Sequence, residues 1–166
     1  MKLINKVAFV TGAGQGMGRA IVRHFAEQGA HVVAADINLE AARQTIEGLG
    51  DNAMAVDCNV ADSDSVATAM AAVYARFGRF DVLVNNAGIG SIDAFADTPD
   101  EHWQRVIGVN LTGPFFCSRE AVKLMLKAAT PGVVINISST AAITGEGPSH
   151  YCAAKAGVMG LTRSMA

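Results

Sequence analysis

Tyr151 and Lys155 stand four residues apart in the segment Tyr151-Cys152-Ala153-Ala154-Lys155. On a helix, side chains at this spacing share one face, so the phenol and the ammonium would lie side by side. A phenol ordinarily titrates near ~10, too high for a base at neutral pH, and a neighbouring ammonium favours the phenolate. The pair could therefore serve as a general acid/base. Taken alone, the same pattern is also that of an ordinary pair on a helix surface.

A glycine-rich turn, Thr11-Gly12-Ala13-Gly14-Gln15-Gly16-Met17-Gly18, follows the first apolar run. Glycines let backbone amides approach an anion, and a helix that follows directs its N-terminal amides and dipole at a pyrophosphate. The spacing is Gly12-x-x-x-Gly16-x-Gly18 and not GxGxxG. A tight strand-to-helix turn without a ligand is the alternative interpretation.

Asp36 ends the second apolar run, 18 residues after Gly18. In dinucleotide-binding folds a carboxylate at this place binds both hydroxyls of the adenosine ribose, and it would repel the extra phosphate of NADP. No Arg or Lys occurs in Ala13–Met17 or directly after Asp36 to hold that phosphate. The sequence therefore favours NAD over NADP, with a plain strand-end aspartate as the alternative.

The elements that would position these residues alternate between short apolar runs and amphipathic stretches. The predicted strands are Val7–Val10, His31–Ala35, Ala53–Val56, Val82–Val84 and Val133–Ile137. The predicted helices cover about Gly18–Gln28, Leu39–Leu49, Ser63–Phe77, Pro99–Ala128 and Tyr151 onward. Near-continuous apolar strands that alternate with helices predict an α/β fold with an open, doubly wound parallel sheet.

Local signals refine these boundaries. Asp62 or Ser63 is expected to cap the third helix. Three glycines fall where helix C-terminal caps are expected, namely Gly29, Gly50 and Gly78.

Composition excludes several classes of protein. With 166 residues, 51% hydrophobic and 17% charged, the chain suits one folded domain and not a disordered segment. A net charge of -2 and 6% aromatic residues argue against partners such as nucleic acid or an anionic membrane.

Other features of the sequence bear on cellular location and metal binding. No signal peptide or membrane span is apparent, so we expect a cytoplasmic protein. Cys58, Cys117 and Cys152 form no disulfide framework, and the histidines show no paired spacing, so no metal is assigned.

Taken together, the motifs resemble the short-chain dehydrogenase/reductase family in its shorter, single-domain branch. The matching residues occur in the expected order: Thr11-Gly12-x-x-x-Gly16-x-Gly18, Asp57, Asn85-Asn86-Ala87-Gly88, Asn110, Ser138-Ser139 and Tyr151-x-x-x-Lys155. The resemblance implies a Rossmann-like sheet with strand order 3-2-1-4-5. The extended branch of the family, which prefers TGxxGxxG, fits poorly because Gln15 stands where glycine is needed.

The resemblance implies hydride transfer between a nicotinamide and a secondary alcohol or ketone. Tyr151 would be the acid/base on the substrate oxygen, and Lys155 would favour the phenolate and hold the nicotinamide ribose. Asn110 would help maintain a proton relay, through water, to Lys155. Around Asn110, the residues Gly108, Gly113 and Pro114 weaken the long helix and predict a local distortion.

A serine would hydrogen-bond the substrate oxygen. Alignment from the strand Val133–Ile137 favours Ser139, whereas counting back from Tyr151 points to Ser138. We choose Ser139, because the loop of residues 144–148 can easily be one residue shorter.

The resemblance also implies a nucleotide-binding set. Its members are Gly12, Gln15, Gly16, Met17, Gly18, Asp36, Ile37, Asp57, Cys58, Asn86, Ala87, Gly88, Tyr151 and Lys155. Asp57 would bind the adenine amino group, assisted by the backbone amide of Cys58. The segment Asn86-Ala87-Gly88 would line the adenine ribose and the nicotinamide side through backbone atoms.

Family members continue past the Tyr151 helix into a sixth strand, a substrate lid and a last strand, so residues 1–166 are expected to form one NAD-binding domain that is incomplete at its C-terminus. Three interpretations stay open: an incomplete copy of an NAD-dependent oxidoreductase, an inactive nucleotide-binding fragment, and an oligomer-forming fragment. Without a lid to exclude water, we expect this chain to turn over poorly. The helices over 99–128 and after Tyr151 match the family's oligomer-forming helices, which implies a homo-oligomer, either a dimer or a tetramer.

Overall fold

A parallel five-stranded sheet, in the order β3-β2-β1-β4-β5, forms the centre of the computed structural model, which describes residues 1–166. Its strands are β1 (Val7–Thr11), β2 (His31–Asp36), β3 (Ala53–Asp57), β4 (Val82–Asn85) and β5 (Val133–Asn136). Every pairing is parallel, and β1 lies between β2 and β4. The predicted α/β class and strand order are confirmed, and the fold is Rossmann-like.

Helices connect the strands and cover both faces of the sheet. They are α1 (Gly16–Glu27), α2 (Leu39–Ile46), α3 (Ser63–Phe77), α4 (Asp100–Ile107), α5 (Gly113–Lys127), α6 (Ala141–Thr144) and α7 (Ser149–Met165). Two short 3-10 turns occupy Gly50–Asn52 and Phe95–Asp97. None of the helices combines the length and the apolar character that crossing a membrane requires.

The apolar core forms two layers, one on each face of the sheet. Within β1, Val7 and Phe9 belong to the layer shared with α3 and α5, while Ala8 and Val10 belong to the layer shared with α1 and α2. Successive strand residues point to opposite faces, so a strand covered on both sides must be apolar throughout. This explains the uninterrupted apolar runs of the sequence.

The long helix predicted over 99–128 is interrupted as expected. A π-helical segment, Gly108–Thr112, separates α4 from α5. Pro114 lacks the amide hydrogen that would donate to the carbonyl of Asn110 in a regular α-helix. The interruption therefore surrounds Asn110, and Asn110 is wholly buried.

Three of the helix-end predictions hold and one is wrong. Gly29, with φ 87°, follows the end of α1 in the left-handed conformation. The carboxylate of Asp62 accepts hydrogen bonds from the amides of Asp64 and Ser65, and caps α3. Gly78 ends α3 in the left-handed conformation, with φ 68°. Gly50, in contrast, opens a 3-10 turn, because α2 already ends at Ile46 and Gly48, with φ 81°, makes the left-handed turn.

Asp81 joins the amino ends of the central strands. Its carboxylate accepts hydrogen bonds from the Val7 amide at 2.9 Å, from Arg79 Nε at 2.7 Å and from Lys6 Nζ at 3.3 Å. Its backbone donates to the Val7 carbonyl and accepts from the Val133 amide. Burial raises the pKa of Asp81, but the hydrogen bonds and charges of Arg79, Val7 and Lys6 outweigh burial and hold that pKa below its usual range.

Replacing this residue, Asp81→Asn, is expected to lower the free energy of unfolding by about 2–3 kcal/mol at neutral pH, since charge-assisted hydrogen bonds are lost. Because the pKa of Asp81 is lower in the folded chain than in the unfolded chain, its contribution is complete above the unfolded pKa. It is lost as the pH falls through the folded pKa. Urea unfolding at a series of pH values should therefore show the two proteins converging in acid. Asp97→Asn, in an exposed turn, serves as control.

Candidate active site

A cleft of about 1130 Å³ opens at the carboxyl ends of the strands. In open parallel sheets this edge, where the strand order reverses next to β1, is the usual place for a ligand. Most of the predicted nucleotide-binding residues line it: Gly12, Gln15, Gly16, Met17, Gly18, Asp36, Ile37, Cys58, Asn86, Ala87 and Gly88. Asp57, Tyr151 and Lys155 are not part of this lining.

The glycine-rich turn forms a cradle that a larger side chain would fill. A Cβ at Gly12 would lie 2.8 Å from the Cα of Ala87, and Gly12 has a φ of 63°. A Cβ at Gly18 would collide with the Gly12 carbonyl. No side chain caps the start of α1, so its first amides remain available to an anion. The turn therefore fits the pyrophosphate of a dinucleotide.

The end of β4 is tied to this turn. The hydroxyl of Thr11 accepts from the amides of Asn86 and Ala87, each at 3.0 Å. The side-chain amide of Asn86 donates to the carbonyls of Thr11 at 2.9 Å and Gly12 at 3.2 Å. The side-chain amide nitrogen of Asn86 thus holds the turn.

Asp36 is fixed at the end of β2. Its carboxylate accepts from the Gly14 amide at 2.7 Å and from the Asn38 amide at 2.9 Å. Arg19 donates to the carbonyl of Gly14 and to Thr45 Oγ1. The carboxylate therefore faces the cleft as a preformed acceptor, while the guanidinium of Arg19 is used within the protein.

The implied contact of the Cys58 amide with adenine is not supported. That amide donates to the carbonyl of Asp36 at 3.0 Å and continues the ladder between β2 and β3. An amide bonded within a sheet is not free to bind a ligand. Asp57 is exposed beside Asp36 in the sheet register.

Asn110 holds the segment that follows β4. Its Oδ1 accepts from the Ile89 amide at 3.0 Å, and its Nδ2 donates to the Ile89 carbonyl at 2.7 Å. The Asn110 side chain is therefore bonded to the Ile89 backbone at both ends. A Cβ at Gly88 would lie 2.9 Å from Asn110 Oδ1 and 3.8 Å from Lys155 Nζ. Asn110 and Lys155 thus flank Gly88 at the edge of the cleft.

Tyr151 and Lys155 share a face of α7, as their spacing predicts. Lys155 Nζ lies 5.7 Å from the centre of the Tyr151 ring and donates to the Ile137 carbonyl at 2.8 Å. Lys155 is only 5% exposed, and this burial lowers its pKa. The phenol thus faces a largely desolvated amino group, an arrangement typical of functional sites.

The two serines after β5 have different environments. Ser138 Oγ donates to the Lys155 carbonyl at 2.9 Å, so its hydroxyl hydrogen is used to hold α7. Ser139 Oγ accepts from the Ala141 amide at 3.2 Å and keeps its hydrogen for another acceptor. This difference supports Ser139 as the serine that would bind a substrate oxygen.

Sequence reasoning missed the wall of the cleft formed by α4. Glu101, Gln104 and Arg105 line it, together with Gly108 of the π-helical segment. The spacing of three and four residues between them indicates a common helix face. Nothing in the sequence indicates that this face lies across from the glycine-rich turn.

The fold and the cleft are those of a dinucleotide-binding type of α/β protein. Comparison with known proteins narrows this class to a family. A family model described as short chain dehydrogenase matches residues 6–166. The chain is 42% identical to the meso-2,3-butanediol dehydrogenase of Serratia marcescens over 168 residues, which cover 100% of this chain and 66% of that protein. It is 39% identical to a 3-oxoacyl-(acyl-carrier-protein) reductase of Thermotoga maritima, with coverage of 100% and 69%.

A solved structure agrees with these relatives. The crystal structure of gox2181 superposes with a TM-score of 0.93 at 35% identity, covering 99% of this chain and 66% of that one. The chain therefore belongs to the short-chain dehydrogenase family. It spans about two thirds of the length of the curated relatives that it matches.

Proposed function

We propose that the protein catalyses NAD-dependent hydride transfer between a secondary alcohol and the corresponding ketone. The observation that carries this proposal is the Tyr151–Lys155 pair, whose lysine adjoins Gly88 at the edge of a cleft that fits a dinucleotide. Membership of the family and the dehydrogenase and reductase names of its relatives support the same reaction class.

Each of the proposed site residues has a different role in the reaction. In alcohol oxidation, the phenolate of Tyr151 accepts the hydroxyl proton of the substrate, and in ketone reduction the phenol returns it. The bound cofactor would supply the redox chemistry, with NAD as the hydride acceptor in oxidation and NADH as the hydride donor in reduction. Lys155 stabilises the phenolate, and Ser139 donates its free hydrogen to the substrate oxygen. Asn110 holds the backbone of Ile89 in place. Its Oδ1 leaves no room for a side chain at Gly88, so the backbone there can lie close to the reacting groups.

Asp36 would select NAD. Two acceptor oxygens fixed at the end of β2 suit a pair of ribose hydroxyls, whereas a phosphate on that ribose would meet their negative charge. This assignment follows from the Asp36 carboxylate and the internal use of the Arg19 guanidinium.

Asp36→Asn is expected to reduce the preference for NADH over NADPH by about 10- to 100-fold, since charged acceptors are lost and the repulsion of phosphate disappears. Calorimetric titration with each nucleotide measures this ratio. Glu40→Gln, an exposed change on the neighbouring helix α2, should leave it unaltered. An unchanged ratio in Asp36→Asn would show that another group selects the nucleotide.

The partner would be a small molecule, with 2,3-butanediol as a first test because a relative is named for it. The direct test is NADH formation, followed by its absorbance, with a panel of secondary alcohols, and the reverse reaction with the matching ketones. Since this chain is expected to turn over poorly, the proposal predicts slow but measurable turnover with at least one of them. Nucleotide binding without any turnover across the panel would contradict it.

We also propose that the protein self-associates through α5. This helix leaves Phe115, Val122 and Leu126 exposed, at 44%, 39% and 76%. Their spacing of seven and four residues places them on one face of the helix, and a contiguous apolar patch is typical of interfaces. Sedimentation of a monomer at micromolar concentration would count against a dimer or tetramer.

A further inference from the structure

A hydrogen-bonded cluster lies outside the proposed cofactor and acid/base residues. Its members, which we name the loop clamp, are Ser91, Asp93, His102 and His150. Ser91 Oγ lies 2.6 Å from Asp93 Oδ2 and 2.8 Å from His150 Nε2. His102 Nδ1 lies 3.1 Å from Asp93 Oδ2.

The direction of each hydrogen bond follows from the donors present. Ser91 has one hydrogen and donates it to the Asp93 carboxylate, so it can only accept from His150, and His150 must carry a hydrogen on Nε2. His102 donates from Nδ1 to the same carboxylate. Hydrogen bonds from Ser91, His102 and His150 outweigh desolvation and lower the pKa of Asp93 to about 2, so the acceptor is charged.

The loop clamp is not a nucleophilic triad. In such a triad the carboxylate binds one ring nitrogen of the histidine and the serine binds the other. Here Ser91 and Asp93 both face Nε2 of His150, and its Nδ1 is buried without a partner. The cluster is therefore suited to holding segments together and not to activating Ser91.

The loop between β4 and α4 has no apolar anchor beyond Ala87, which packs against the core. No residue from 86 to 98 is buried, and the side chains of Ile92 and Phe95 are exposed. Besides the Asn110 bonds to Ile89, the side-chain bonds that attach this loop to the helices are those of the loop clamp. His150, in contrast, is wholly buried on α7, directly before Tyr151.

We propose that the loop clamp positions Tyr151 for the reaction by fixing the first turn of α7 to the loop that walls the cleft at Ile89 and Gly90. This inference rests on the proposed function. His102 extends the attachment to α4, which forms another part of the cleft wall. Ser91, Asp93, His102 and His150 are thus positioning residues that act through the placement of the phenol.

The test compares His150→Leu, which removes the donor, with His150→Gln, which can replace the Nε2 hydrogen. His24→Leu, a change at an exposed histidine on α1, is the matched control. Hydrogen exchange of residues 89–97 and 149–155, kcat, and KM for NAD are measured for each. His150→Leu should speed exchange of these two segments about tenfold. It should also lower kcat by about 10- to 100-fold with KM for NAD unchanged. His150→Gln should recover most of both losses.

The results distinguish a positioning role of the loop clamp from a general loss of stability. Wild-type exchange and kcat in His150→Leu would overturn the inference, as would faster exchange throughout the chain with no rescue by His150→Gln. If His150→Leu does not fold, Ser91→Ala removes the hydroxyl that bridges His150 and the carboxylate and leaves only the 3.4 Å contact of His150 Nε2 with Asp93 Oδ2. It is expected to give the same pattern with a smaller effect. Absence of turnover by the unaltered chain would overturn the proposed function, and the positioning role with it. The exchange data would then still report whether the loop is held.

Discussion

Tyr151→Phe is expected to reduce kcat about 1000-fold while NADH affinity stays within about twofold of the original. The substitution removes only the phenolic oxygen, which in the proposed function is the atom that would accept or donate the substrate proton. The ring and the buried Lys155 beside it stay in place, so the cleft keeps its shape.

The chain contains a matched control for this substitution. Tyr74 on α3 lies beside Lys127, with Nζ 5.0 Å from the ring centre, so it has a similar lysine neighbour away from the cleft. Tyr74→Phe should leave both kcat and NADH affinity unchanged. Steady-state kinetics and fluorescence titration supply the two quantities. Full activity in Tyr151→Phe would remove the acid/base role from this residue.

Gly18→Ala is expected to weaken NADH binding by about 100-fold and to lower the free energy of unfolding by about 1–3 kcal/mol. The added methyl would collide with the carbonyl of Gly12 and approach Asn86 Nδ2 at 2.6 Å. Since Asn86 holds the turn through the Thr11 and Gly12 carbonyls, the cradle for the pyrophosphate must open to admit the methyl group.

Gly160→Ala on α7 is the control, because a Cβ at Gly160 meets nothing within 4 Å. Alanine is the better helix former, so this change should stabilise the protein by up to about 1 kcal/mol and leave NADH binding unaltered. Calorimetry and urea unfolding of both variants give the comparison. Unchanged affinity in Gly18→Ala would show that the turn does not form the pyrophosphate site.

The sequence was sufficient to predict the elements dominated by local pattern. The continuous apolar strands follow from burial on both faces, and the interruption around Asn110 follows from Gly108, Gly113 and Pro114. The strand order came from the family resemblance. Gly50 was misassigned because two glycines close together offer the same conformation, and α2 uses the earlier one, Gly48.

Features that depend on distant contacts could not be predicted. His150 and Ser91 are 59 positions apart, and their hydrogen bond depends on how α7 packs beside the loop after β4. Likewise, the α4 wall of the cleft and the use of the Cys58 amide in the sheet follow from tertiary geometry and not from a motif. Sequence spacing predicts the candidate reacting groups, and tertiary packing determines which of their atoms are left without an internal hydrogen bond.

Isotope transfer tests the proposed reaction most directly. The chain would be incubated with NAD and the secondary alcohol of highest turnover, deuterated at the carbinol carbon, and the reduced nucleotide analysed by mass spectrometry and NMR. Direct hydride transfer predicts NADH with one deuterium at C4 of the nicotinamide, on a single face, and none in Tyr151→Phe beyond its residual turnover. NADH without deuterium, or no NADH with any alcohol of the panel, would contradict the proposed function.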